Sequence, residues 1–264
     1  MYEFNYHKAS SVADAAAKLA TANDAKLMAG GQTLIAAMKL RLASPSDIVD
    51  LGGVAELRGI RKDGGAISIG AMTTHAEVAS SKDVLQAIPA LANLATSIGD
   101  PMVRNMGTLG GSLANNDPAA DYPAAVVGLG ATIVTNKRKL GAGEFFKGMY
   151  ETALQAGEII TAVSFPVPKR AGYVKFKNPA SRYAIVGVFV AETAGGMRVA
   201  VTGAGPSVFR VTEMEKALAS KFSADAVANI KVAAAGLNSD MHASAEYRAH
   251  LVTVMAKRAV EAAT

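Results

Sequence analysis

Arg104 to Asp121 reads RNMGTLGGSLANNDPAAD, and the fold turns on what this stretch is built to approach. Glycines stand at 107, 110 and 111, small and amide residues follow, and Asp117 and Asp121 flank Pro118 and two alanines. Core packing alone does not ask for that order. Glycine lets another group come close to the backbone, and hydroxyls and amides offer it hydrogen bonds. A second turn of the same kind lies upstream: MAGGQTL, Met28–Leu34, between an apolar strand pattern (AKLMAG) and a helical one (TLIAAMKLRL). Gly30 and Gly31 permit positive φ, and amides opening the next helix favour an anion such as phosphate. The same residues also suit an ordinary tight turn.

Neither turn supplies a full G-x-G-x-x-G after a strand. GTLGGS has no clean strand before it and no helix of suitable length starting at it. A P-loop Gly-Lys-Ser/Thr is missing throughout. A nicotinamide Rossmann site and a mononucleotide kinase or ATPase therefore fit poorly. Two separate turns suit a long ligand with a diphosphate in its middle, the shape of FAD. Thr33, Thr108 and Ser112 add hydroxyl donors, and Asn115 and Asn116 suit polar edges of a ribityl chain or ring. Asp117 is predicted to cap a helix that has Pro118 in its first position and runs to Gly128. Asp121 lies one turn in, where it is a candidate acceptor for a ligand; an acid/base pair with Asp117 is the alternative.

Composition narrows the rest. With 264 residues, half of them hydrophobic, the chain is long enough for two or three small domains with proper cores. The net charge is +5 and the isoelectric point about 9.3, yet the basic residues are scattered. The densest cluster, Lys137–Lys139, is too short for a nucleic-acid arm. No cysteine is present, so no disulfide, iron–sulfur cluster or thiolate zinc site can form on this chain. His7, His75, His242 and His250 show no metal-ligand spacing, and His75 reads as a first-turn helix residue. A G-x-S-x-G elbow is also missing. No catalytic or metal residues are expected. The longest apolar run, Tyr122–Thr135, is too short to span a bilayer, and the charged opening lacks a signal-peptide core, so a cytoplasmic protein is expected.

Along the chain, Ser11 caps a predicted helix, and strand, glycine turn, helix and SDIVDL strand form a small βαβ-type unit. Asp63-Gly64-Gly65 marks a hairpin. One helix is predicted over 84–98, and strands over ATIVT and GEIITAVSFPVP. From Arg170, three antiparallel strands precede three helices, VTEMEKALAS, ADAVANIKVAAAG and SAEYRAHLVTVMAKRAVEAA, an α+β arrangement.

AGGQTLIAAMKLRLASPSDIVDL, IGAMTTHAEV and IGDPMVRNMGTLGGSLANNDPAADYPAAVVGLGATIV, taken in order, resemble the FAD-binding medium subunit of molybdenum hydroxylases, the carbon monoxide dehydrogenase and xanthine dehydrogenase family. DMHASAEYRAHLVTVMAKRAV resembles the end of that family's C-terminal domain. The resemblance implies an α+β protein. Its FAD-binding domain would have two parts, of the PCMH type (1–55 and 56–169), with a C-terminal domain of antiparallel strands and helices over 170–264. It implies a large partner carrying molybdopterin and a small partner carrying two [2Fe–2S] clusters, in a dimer of heterotrimers without a membrane span. FAD would accept electrons from a cluster and pass them to an external acceptor. By the resemblance Ala29, Gly30, Gly31, Gln32 and Thr33 hold the pyrophosphate. Thr108, Gly110, Gly111 and Ser112 form the second cradle, and Asp121, Ile160, Lys177 and Tyr183 contact the flavin end. Thr33 stands where the family often has serine, which keeps the hydroxyl, and Met102 and Met106 where it has arginine or glutamine. The short NPASRYAIV after Lys177 leans towards a quinone or another non-nicotinamide acceptor. A stand-alone flavin oxidoreductase and an assembly module without cofactor are the competing readings.

Overall fold

The computed structural model describes residues 1–264. Three main sheets follow one another along the chain, and a two-stranded ribbon, Phe146–Gly148 with Glu151–Thr152, is a fourth. In the first, Asp47–Asp50 lies between Asn5–Lys8 and Ala25–Met28, all parallel. The helix Val12–Thr21, capped by the Ser11 side chain, and the helix Leu34–Lys39 supply the crossovers. The expected βαβ unit is thus present, with Asn5–Lys8 as an added edge strand.

The second sheet is antiparallel, in the order Ile60–Asp63, Ala66–Gly70, Ile160–Pro166, Thr132–Thr135, Lys139–Gly141. The hairpin turns at Gly64-Gly65, both left-handed, where a side chain would be strained. The single helix expected over 84–98 is broken. Lys82–Ala87 ends at Ile88, and Pro89 starts a new helix, Pro89–Thr96, because its ring fixes φ and removes the N–H that would continue the ladder.

The third sheet runs Arg170–Lys177, Ala184–Thr193, Gly196–Thr202, Phe209–Arg210, all antiparallel. It is covered on both faces, which explains the unbroken apolar run AIVGVFVA. Phe189, Ala191 and Ala200 join the core of the second unit, where the helix Tyr122–Leu129 lies buried at every residue. Val186, Val188, Val190, Val199 and Val201 pack on the other side against the helix Ala245–Glu261. Burying a side chain of this size stabilises by about 1.5–3 kcal/mol. The helix expected in ADAVANIKVAAAG is only Ala224–Val227. From Ile230 to Ala235 exposure alternates residue by residue instead, and Ile230 and Val232 pack against the core that the last helix shares. Thr253 ties it down by donating to the Ile230 carbonyl at 2.7 Å.

Candidate functional site

A cavity of about 640 Å³ lies where the three units meet, well within the range that holds a large organic cofactor. Of the thirteen residues expected at the site, twelve line it: Ala29 to Thr33, Thr108, Gly110, Gly111, Ser112, Asp121, Ile160 and Tyr183. Lys177 does not. A register shift between Phe176 and Lys177 interrupts the alternation of its strand and leaves Lys177 exposed. Lys175, two residues earlier, points inward and is buried.

The two glycine turns are built differently. In the first, none of the amides of Gly30, Gly31, Gln32 and Thr33 donates to a protein acceptor. Gly31 takes φ +72, which only glycine adopts without strain. Thr33 makes no capping hydrogen bond with its side chain, so its hydroxyl is free as well. Four consecutive amides and a hydroxyl on one cavity wall are a ready anion cradle. In the second turn the amides from Leu109 to Ser112 are already committed. Leu109 donates to the Thr73 carbonyl at 3.1 Å, Gly110 to Ala71 at 2.8 Å, and Ser112 to Thr108 at 3.1 Å. Gly111 donates to Thr108 Oγ1 at 3.2 Å, so Thr108 caps a helix, Leu109–Asn115, that the sequence reading did not expect there. Its Gly110 is required for packing: a Cβ there would lie 2.6 Å from Ala71 Cβ. The backbone of the first turn packs just as closely, since a Cβ on Gly30 would meet the Met106 carbonyl oxygen at 1.8 Å.

NNDPAAD also differs from its expectation. Asp117 does not start the helix: its Oδ1 accepts from the Ala119 amide at 2.8 Å and closes a turn, and the helix begins at Tyr122 with Pro123 behind it. Asn116 is buried in the left-handed region, with its amide nitrogen donating to the carbonyls of Gly148 and Glu151, so its side chain holds a loop and not a ligand. Asp121 is buried against Lys175 Nζ at 2.9 Å and also accepts from the Tyr173 hydroxyl. Burial pushes its carboxyl up, against the pull of Lys175 and Tyr173. Much of its acceptor capacity is therefore taken by the C-terminal sheet.

Several cavity residues were not among the thirteen expected there. His75, Asp117, Tyr150 and Arg182 all line it. Tyr150 and Arg182 hold left-handed backbones at φ 56 and 63, a strain that only coordinates reveal. Arg182 Nη1 donates to the Gly99 carbonyl at 3.0 Å, which joins the loop after Lys177 to the turn before Pro101. Tyr183 is half-exposed at the same end, and its hydroxyl pKa is raised by burial and by Asp117.

The comparisons with known proteins decide the family. Residues 2–168 match the FAD binding domain in molybdopterin dehydrogenase, and residues 171–263 match the CO dehydrogenase flavoprotein C-terminal domain. The chain belongs to the flavoprotein medium-chain family of molybdenum hydroxylases. It is 35% identical to the carbon monoxide dehydrogenase medium chain of Hydrogenophaga pseudoflava, over 98% of this chain and 96% of that one. It is 36% identical to the nicotine 6-hydroxylase medium subunit of Paenarthrobacter nicotinovorans, over 97% and 95%. Among solved structures, reconstituted CO dehydrogenase from Oligotropha carboxidovorans superposes with a TM-score of 0.90 at 35% identity, covering 99% of this chain and 97% of that one. As a family member this medium chain is an FAD-binding subunit of an oxidoreductase. No helix in it is long and apolar enough to cross a membrane.

Proposed function

We propose that this medium chain is an electron-transfer subunit in the cytoplasm. The cavity residues would hold FAD, which would relay electrons from a small partner with two [2Fe–2S] clusters to a quinone or another non-nicotinamide acceptor. A large partner carries molybdopterin and hydroxylates the substrate, and the assembly is a dimer of heterotrimers. The observation that carries the reading is the run of unbonded amides from Gly30 to Thr33 on a cavity gathered from both glycine turns. Bound FAD would supply an isoalloxazine able to accept and release electrons one or two at a time. The chain's own residues do the rest. The Ala29–Thr33 turn binds the diphosphate, Ser112 and the Thr108 turn close the far side, and Ile160 and Tyr183 shape the flavin end. The proposed division at 1–55, 56–169 and 170–264 is supported by the three sheets, each of which falls within one part.

The test is an absorbance spectrum and FAD titration of the purified chain, with release and identification of any bound cofactor, followed by co-purification from its native source. Stoichiometric FAD, and a large and a small subunit copurifying, are expected. A chain that neither carries nor takes up flavin refutes the cofactor assignment. Flavin without partners leaves a stand-alone flavoprotein and removes the electron-transfer role.

A further inference from the structure

His75 has no part in the reading above beyond lining the cavity. It opens the helix His75–Ser80, behind Thr74, whose side chain and Glu77 form a capping box. Only 6% of it is exposed. Ring and turn are locked together: the His75 amide donates to the Gly107 carbonyl at 3.0 Å, and a Cβ on Gly107 would lie 2.6 Å from Nε2. The Nε2 edge therefore faces the second glycine turn. On the other edge, Nδ1 is inaccessible and has no hydrogen-bond partner. Tyr122 lies beside it with ring centroids 5.3 Å apart, fully buried, and its hydroxyl has no partner either.

These two orphans are complementary in kind, one an oxygen–hydrogen donor and one a nitrogen able to accept. Burial, with the charge of Arg104 as a second cause, pushes the pKa of His75 down to about 4, so the ring is neutral and carries one hydrogen. A buried N–H without an acceptor is a rarer omission than a lone pair without a donor. Both facts place the hydrogen on Nε2, at the second glycine turn, and the lone pair on the buried Nδ1. The second turn has no free backbone amide from Leu109 to Ser112, which leaves the Thr108 amide and side chains as the donors to a ligand there. Arg104, close enough to act on His75, adds positive potential for an anion.

We propose that His75 is a cofactor-binding residue whose Nε2–H donates to a phosphoryl oxygen of FAD at the Gly107–Ser112 turn. This rests on the FAD reading above. The experiment uses the whole chain freed of flavin and titrated with FAD, as wild type, His75→Phe and His75→Gln. The loss of one hydrogen bond of about 1.4 kcal/mol predicts roughly tenfold weaker FAD binding for His75→Phe, and a large part of it recovered by His75→Gln, which keeps an N–H. Thermal unfolding of the flavin-free Phe variant is expected to match or exceed wild type, since an unpaired buried group is removed. With nitrogen-15 in the histidines, the His75 Nε2 resonance is expected to move on FAD addition, while those of His7, His242 and His250 stay. Wild-type affinity in His75→Phe, or an equal loss in both variants with an unmoved Nε2 resonance, overturns the proposal and leaves the FAD reading standing. A wild-type chain that takes up no FAD removes the reading itself, and this proposal with it.

Discussion

Around Gly30 the backbone amides stand unbonded on the cavity wall, and around Gly110 the corresponding amides hold the protein to itself. The residue types are nearly the same in both turns: small residues, paired glycines and a hydroxyl. What separates them is the neighbour. The first turn rests on the Met106 carbonyl and leaves its N–H groups to one side, whereas Ala71 and Thr73 accept those of the second. A glycine pair thus marks close approach of some group to the backbone, and the partner is as often another stretch of protein as a ligand.

The largest effect is expected at the buried pair beyond the second turn. Lys175→Met leaves Asp121 as an uncompensated buried acid and should destabilise by about 3–5 kcal/mol in urea unfolding. The double variant with Asp121→Asn should regain part of that, and a loss under about 1 kcal/mol for the single change would mean the pair does little.

Next comes acid. A folded-state pKa of about 4 for His75, against 6.5 for the free side chain, means that protonation favours the unfolded chain. Stability from this group is present above pH 6.5 and is lost as pH falls towards 4, by up to about 3 kcal/mol. His75→Phe should flatten that part of the curve, so an unchanged slope would show that His75 is solvated.

Gly110→Ala forces its Cβ onto Ala71 and should cost about 1–3 kcal/mol by thermal unfolding, at any FAD concentration scaled to its affinity. Should it weaken FAD and leave the melting point alone, the second turn would be a ligand cradle after all. Smaller and opposite effects are expected for the two threonines. Thr33→Val should lower FAD affinity by about 0.5–1.5 kcal/mol without touching stability. Thr108→Val should cost about 1 kcal/mol of stability through the lost cap. Lys177→Ala should change neither quantity in the same assays, because the side chain lies outside the cavity.

Much of this was legible in the sequence, and the illegible parts have a common cause. Apolar alternation and glycine hairpins placed the sheets, and the motif resemblance gathered twelve cavity residues. The helix in ADAVANIKVAAAG stops at Val227 because alanine-rich composition favours helix only locally, whereas Ile230 and Val232 are drawn into the core that the last helix shares. Asp117 is not the cap because its Oδ1 takes the Ala119 amide and closes a turn, in a loop whose carbonyls accept from far along the chain. Lys177 failed on a one-residue register shift. The left-handed backbones of Tyr150 and Arg182 have no counterpart in composition at all.

Those distant claims on the Pro118–Asp121 loop have a consequence for descent. Thr202 donates to the carbonyls of Pro118 and Ala120, Gly203 to Pro118, and Tyr173 and Lys175 close on Asp121. Every one of those partners lies past residue 170, on the far side of the gap between the two family matches. Evolution can therefore recognise a seam at which the polypeptide itself does not part. A chain ending at 169 would carry a complete first module by pedigree, and yet bury an acid and expose carbonyls that no longer have donors. Exchanging C-terminal modules between relatives should succeed only when the loop and its distant partners travel together.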